Sequence, residues 1–184
     1  MSKPVGLNIL GGFALMLAGC GGESNETSDG QTGTSVVSSG WDATNACALL
    51  DNAAVGTALG DKVSEATVAL VNQASGANAA TSECTYVLEN GGRASLMARN
   101  SPISDNTDDA IKMARNATQA SVAGFTDKKV EDVPGVGKAA FFVPGINQLN
   151  VFIDDKRFVI LTVSSAPNEG AKALAVDLFG KIKR

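Results

Sequence analysis

From about residue 41 onward, the chain's apolar positions switch between a helical and a two-residue rhythm, and each switch marks an element. Thr44 or Asn45 can cap a first turn through Cys47-Ala48-Leu49-Leu50. Asp51 can cap a second stretch that reaches Leu59 and stops at Gly60. Lys62 to Asn72 carries Val63, Val68, Leu70 and Val71 and predicts a strand, whereas Gln73 to Ser82, rich in Ala, Ser, Gly and Asn, predicts a loop. Glu83–Glu89 and Arg93–Ala98 flank Asn90-Gly91-Gly92, a strong hairpin signal. Ser104 to Val122 predicts a helix. Its start is dense in cap residues and acids, which suits the positive end of a helix dipole, and Ile111, Ala114, Ala117 and Ser121 share one face. Lys138–Val143, Leu149–Ile153 and Phe158–Val163 predict three strands, separated by Pro144-Gly145 and by a turn at Asp154-Asp155-Lys156-Arg157. A last helix starts near Pro167, with Ala171, Leu174, Leu178 and Ile182 as its apolar stripe. The order α-β-β-β-α-β-β-β-α predicts an α+β fold, an antiparallel sheet with helices packed on one face. Both halves run helix then three strands, yet no sequence repeat accompanies them.

Ahead of this domain the pattern is different. Val5 to Leu17 is apolar but Gly-rich and too short for a membrane span of about 20 residues. It has the length of a signal-peptide core and ends in Leu17-Ala18-Gly19-Cys20, followed by Gly21-Gly22. This stretch resembles the lipobox of bacterial lipoproteins, in which the Cys is acylated and becomes the first residue of the mature chain; the alternative is an ordinary signal peptide that ends in Cys. Residues 21–40 are almost entirely Gly, Ser, Thr, Asn, Gln and acidic residues, and predict a flexible tether with a reach of about 25 Å. The expected organisation is a lipoprotein signal peptide at 1–19, a lipidated Cys20 with its tether over 20–40, and one globular domain at 41–184. Each buried methylene contributes about 0.8 kcal/mol, so two or three acyl chains would anchor the domain firmly. Gly21 stands where Asp favours inner-membrane retention, so in a Gram-negative cell the resemblance implies the outer membrane, and in either cell type the cell envelope.

Composition removes several functional classes. Among 184 residues there is no His, which excludes Ser-His-Asp and Cys-His catalysis, imidazole-ligated zinc and a histidine pH switch. The net charge is −4 and no basic block occurs, a poor basis for binding nucleic acid. With 44% hydrophobic and 18% charged residues, the chain holds a folded part.

The domain holds two cysteines, Cys47 and Cys84. In an exported protein such a pair is most simply a disulfide; a redox or metal-binding thiol pair is the alternative, without Cys-x-x-Cys spacing or a further soft ligand to accompany it. Gly135-Val136-Gly137-Lys138 invites a phosphate-loop reading, but Asp132 and Ala139 stand where Gly and Ser or Thr are needed. A turn set by Pro134, Gly135 and Gly137 is the better account. Asp105, Asp108 and Asp109 fit helix capping better than a Ca²⁺ loop, because Ala110 fills the position that needs Gly. Asp154-Asp155 reads as a solvated turn more than as a catalytic pair, since chain neighbours point apart. Trp41 is expected to mark where the chain first packs, with an exposed contact as the alternative. Lys181, Lys183 and Arg184 suit the negative end of the last helix. Neither Ser-x-x-Lys nor Gly-x-Ser-x-Gly occurs.

A second resemblance rests on landmarks in order: Cys47-Ala48-Leu49-Leu50, Leu59-Gly60, Ser82-Glu83-Cys84-Thr85-Tyr86, and Val133-Pro134-Gly135-Val136-Gly137-Lys138-Ala139-Ala140-Phe141. Together they resemble a group of small secreted bacterial lipoproteins of unknown function, over most of residues 45–163. The resemblance implies a Cys47–Cys84 disulfide and an α+β fold similar to the Mog1/PsbP-like sandwich, and it carries no catalytic residues. The function expected is that of a lipid-anchored, non-catalytic binding or interaction module without cofactor or metal. It would meet a membrane through its lipid and hold either a small lipophilic ligand or an envelope protein, not a nucleic acid. A spacer lipoprotein without ligand, or a carboxylate-based envelope hydrolase with two acids facing one cleft, are the alternatives.

Overall fold

The computed structural model describes residues 41–184; the expected signal peptide, Cys20 and the expected tether lie outside the described residues. Two short helices open the domain, α1 (Ala46–Leu49) and α2 (Asn52–Leu59). The Asp51 side chain accepts from the Ala53 amide, and Gly60 closes α2 at φ 74°. Strands β1 (Val63–Asn72), β2 (Ala80–Leu88) and β3 (Arg93–Asn100) form a meander, its second turn at Asn90-Gly91-Gly92. After α3 (Asp108–Val122) come β4 (Glu131–Asp132), β5 (Ala139–Val143), β6 (Gln148–Phe152) and β7 (Arg157–Thr162), and α4 (Ala171–Gly180) ends the fold. Every strand pair is antiparallel, in the order β1-β2-β3-β7-β6-β5-β4, so β3 and β7 join two meanders into one seven-stranded sheet. The α+β class and the antiparallel sheet therefore stand.

The helices do not share one face. Those at the two ends of the domain, α1, α2 and α4, cover the face that carries Tyr86, Leu96, Leu149, Val151, Val159 and Leu161, all fully buried with Leu49, Leu50, Val55 and Leu178. The middle helix α3 lies on the other face, where Ile111, Ala114 and Val122 rest on Phe141, Val143, Phe152 and Phe158. The cause is local. Ala139–Val143 is apolar on both sides, and a strand of that kind needs cover on both faces. The buried side of α3 is Ile111, Ala114, Thr118 and Val122, whereas Ala117 and Ser121 are exposed.

Three boundaries differ from expectation, the last being α4, which begins at Ala171 after Gly170 (φ 86°) and not near Pro167. Ala80–Ser82 join β2 because they pair with Asn100, Arg99 and Ala98, and cross-strand pairing outweighs their weak strand preference. Residues 104–107 stay outside α3, where Thr107 rather than Ser104 is the cap, its Oγ1 accepting from the Ala110 amide at 3.2 Å.

Cys47 and Cys84 are joined, closing a loop with a sequence separation of 37. On the chain-entropy account this staple stabilises the fold by about 4 kcal/mol. It has two companions on alternate residues of β2. Ser82 Oγ accepts from the Ala46 amide and donates to the Ala43 carbonyl, both at 2.8 Å, and the buried Tyr86 hydroxyl donates to the Leu50 carbonyl at 2.9 Å. Burial pushes the Tyr86 phenol well above its ordinary pKa, with the nearby Asp51 charge adding to the shift, so it stays a donor.

The turn into β5 separates two glycine demands. Gly135 (φ 79°) has open space around it, whereas a Cβ on Gly137 (φ 62°) would sit 2.5 Å from the Phe152 carbonyl oxygen and 2.8 Å from Val151. Gly135→Ala should therefore cost about 1 kcal/mol for its left-handed backbone alone, and Gly137→Ala about 3 kcal/mol or more. Denaturant unfolding of the two variants checks this; equal losses would show that the Phe152 contact is not limiting.

Candidate functional site

Motifs that lie far apart in the chain meet at one corner of the sheet. The turn at 154–157 hangs from Asn106, which is buried. Its amide donates to the Asp155 carbonyl at 3.0 Å, and its side chain to the Asp154 and Arg157 carbonyls at 2.8 and 3.1 Å. The Gly135–Gly137 turn delivers Lys138 into the same corner. Lys138 Nζ donates to the Asn106 carbonyl and to Asp155, each at 2.8 Å, with Asp108 at 3.7 Å. Arg99 grips Asp105 in a two-bond pair, and Arg157 Nε donates to Asp154 at 2.7 Å. Trp41 closes the corner. It is buried, and the Arg157 guanidinium carbon lies 5.5 Å from its ring.

The electrostatics of this corner are matched pair by pair. The Arg99 guanidinium holds the Asp105 carboxyl below the usual carboxylate range, against an opposing desolvation. Burial pushes the Asp154 carboxyl up, but the amides of Lys156 and Arg157 and the Arg157 guanidinium outweigh it and leave it lowered. Hydrogen bonding to Asp155 raises the Lys138 ammonium. Asp154 and Asp155 are thus turned to different cations, Arg157 and Lys138. Asp108 and Asp109 occupy the first turn of α3. Among the described residues no group of three or more His, Cys, Asp or Glu is placed to hold a metal ion. The arrangement is a lock that fixes the start of α3 to the sheet. Sequence reasoning named Asp105, Asp154, Asp155 and Lys138 separately, took Arg157 as a turn residue and Asn106 as one of the cap residues, and missed Arg99. Nothing in local spacing signals that they converge.

At the other end of the domain, Lys181 pairs with Asp177 at 2.6 Å, Arg184 lies over the Phe179 ring at 4.8 Å, and the Lys183 amide donates to the Leu49 carbonyl. Lys181 and Arg184 therefore contact the helix they follow, and the Lys183 backbone ties the end of the chain to α1. No described helix is long and apolar enough to cross a membrane.

What remains outward-facing is the half of the sheet that α3 does not reach. There the alternate residues of β2, β3 and β7 form two cross-strand rows, Thr85-Ser95-Thr162 and Glu83-Met97-Ile160. All six are partly exposed, in contrast to the buried residues that alternate with them. Met97 and Ile160 make its apolar centre, and hydroxyls and a carboxylate make its border. An apolar centre with a polar rim is the composition of an interaction surface rather than of a closed cavity. Comparison with known protein-family models, with characterised proteins and with solved structures finds no match to this chain.

The lowered Asp105 pKa makes a testable statement about acid stability. A carboxyl lowered in the folded state contributes stability above its unfolded pKa of about 3.9, and loses it as pH falls through the lower folded value. The stability deficit of Asp105→Asn relative to the wild type should be largest above about pH 5 and shrink as pH drops through the carboxylate range. A deficit that stays constant with pH, in denaturant melts across that range, would show that the Arg99 pair contributes through packing alone.

Proposed function

We propose that this chain is a lipid-anchored cell-envelope protein whose domain acts as a non-catalytic binding module, meeting its partner through the open half of the sheet. The observation that carries the binding reading is the pair of rows around Met97 and Ile160, left uncovered by α3. An open, part-polar face suits an envelope protein better than a small lipophilic ligand, which would need enclosure. The envelope reading is supported by Leu17-Ala18-Gly19-Cys20, by the polar stretch that follows it, and by the Cys47–Cys84 disulfide, which belongs to an oxidising compartment. The resemblance to small secreted bacterial lipoproteins agrees with this placement, and Gly21 favours the outer membrane where the cell has one.

Two experiments test the two parts separately. Cys20→Ser should move the protein from the membrane fraction to the soluble fraction; if the variant still sediments with membranes, the lipid anchor is wrong. A photoreactive benzophenone side chain placed at Met97 in the full chain should form a discrete conjugate with an envelope protein in intact cells, whereas the same group at the exposed Glu169 should not. The absence of a conjugate at Met97, or equal labelling at both positions, would remove the sheet face as the binding surface.

A further inference from the structure

Among the described residues, strand β1 ends the sheet on one side and pairs with β2 alone. Free strand edges invite pairing with another chain, and proteins usually guard them with charge, proline or bulges. This edge carries no charged residue and no proline from Ala66 to Ser82. It exposes apolar side chains instead: Val68 at 42%, Leu70 at 70% and Val71 at 48%. Bulges are present but lie at its ends, between Val63 and Glu65 and between Ala69 and Asn72, where Leu70 adopts φ 51°. They leave a regular segment, Glu65–Ala69, with its midpoint at Thr67.

We infer that β1 pairs antiparallel with β1 of a second copy of this chain about a two-fold axis at Thr67, joining two seven-stranded sheets edge to edge. Such a contact is isologous, so each residue meets the one equally far across the axis. Thr67 meets the second copy's Thr67, a favourable cross-strand pair, and Ala66 meets Val68. Glu65 faces Ala69 of the second copy, and Lys62 faces Asn72, so no like charges are opposed. Beyond the bulges the exposed Val71 comes opposite Val63. The open backbone selects this occupant over a membrane: the edge of Glu65–Ala69 presents unpaired N–H and C=O groups, which a second antiparallel strand satisfies and lipid does not. A two-fold axis perpendicular to the sheet also leaves both open faces on the same side. The self-pairing does not depend on the binding role proposed for those faces.

Cysteine cross-linking of the chain carrying Cys20→Ser tests it, since the two remaining native cysteines, Cys47 and Cys84, are already joined. Directly opposed side chains have Cβ atoms about 5 Å apart, whereas Ala69 and its own copy would be about 13 Å apart along the strands. Under a mild oxidant, Thr67→Cys should give a disulfide-linked dimer at least about tenfold faster than Ala69→Cys. A mixture of Glu65→Cys copies and differently tagged Ala69→Cys copies should give the mixed dimer. Peptide mapping of an intact Cys47–Cys84 bond confirms that each variant is folded. Failure of Thr67→Cys to dimerise, equal rates at 67 and 69, or no mixed dimer would each overturn the pairing.

Discussion

The fold depends on one clamp, the hold of β2 on the first turn of the chain. Ser82, Cys84 and Tyr86 are alternate residues of one strand and so point to the same face, and each takes a different part of the segment around α1. Ser82 satisfies backbone groups of Ala43 and Ala46, Cys84 is bonded to Cys47, and Tyr86 reaches the Leu50 carbonyl. A four-residue helix has no stability of its own, because nucleation costs more than one turn returns. The clamp supplies what α1 lacks. It seats Leu49 and Leu50 in the core, directs Asp51 to cap α2, and leaves the Leu49 carbonyl where the Lys183 amide meets it. The beginning and the end of the domain are thereby drawn to the same face of the sheet.

The opposite face obeys another constraint. The second meander is apolar on both sides at Phe141, Phe142 and Val143, so it demands a cover that the first meander does not. The cover is α3, a helix without a fully buried residue, held at its start by the charged corner and along its length by Phe141, Phe152 and Phe158. In that corner Asp105 and Asp154 each face their own arginine, and Lys138 serves Asp155 and Asp108 together, so opposite charge offsets the cost of part-burying them. The same division leaves Met97 and Ile160 uncovered, and connects the packing of the fold to the surface on which a partner would sit.

Much of this was legible locally. Asp51 as a cap, Gly60 as a stop, the Asn90-Gly91-Gly92 turn, most of the strands other than β4 and the α+β class follow from residue patterns whose physical causes act over a few neighbours. The joining of Cys47 to Cys84 was also within reach, because two cysteines allow one pairing. The face chosen by α3 was not, because Ile111-Ala114-Ala117-Ser121 and Ile111-Ala114-Thr118-Val122 are nearly equal stripes until a partner surface selects between them.

The sequence by itself determined most of the helices and strands and several of their turns, and offered a disulfide between the two cysteines of the domain as the simplest pairing. Those choices rest on backbone preferences, caps and the spacing of apolar residues. Only the tertiary structure decided that β3 pairs with β7, that the helices divide between the two faces, and that Asn106, Lys138 and the 154–157 turn form one corner. Such choices depend on contacts between residues many positions apart, whose energies exist only once the surfaces are brought together.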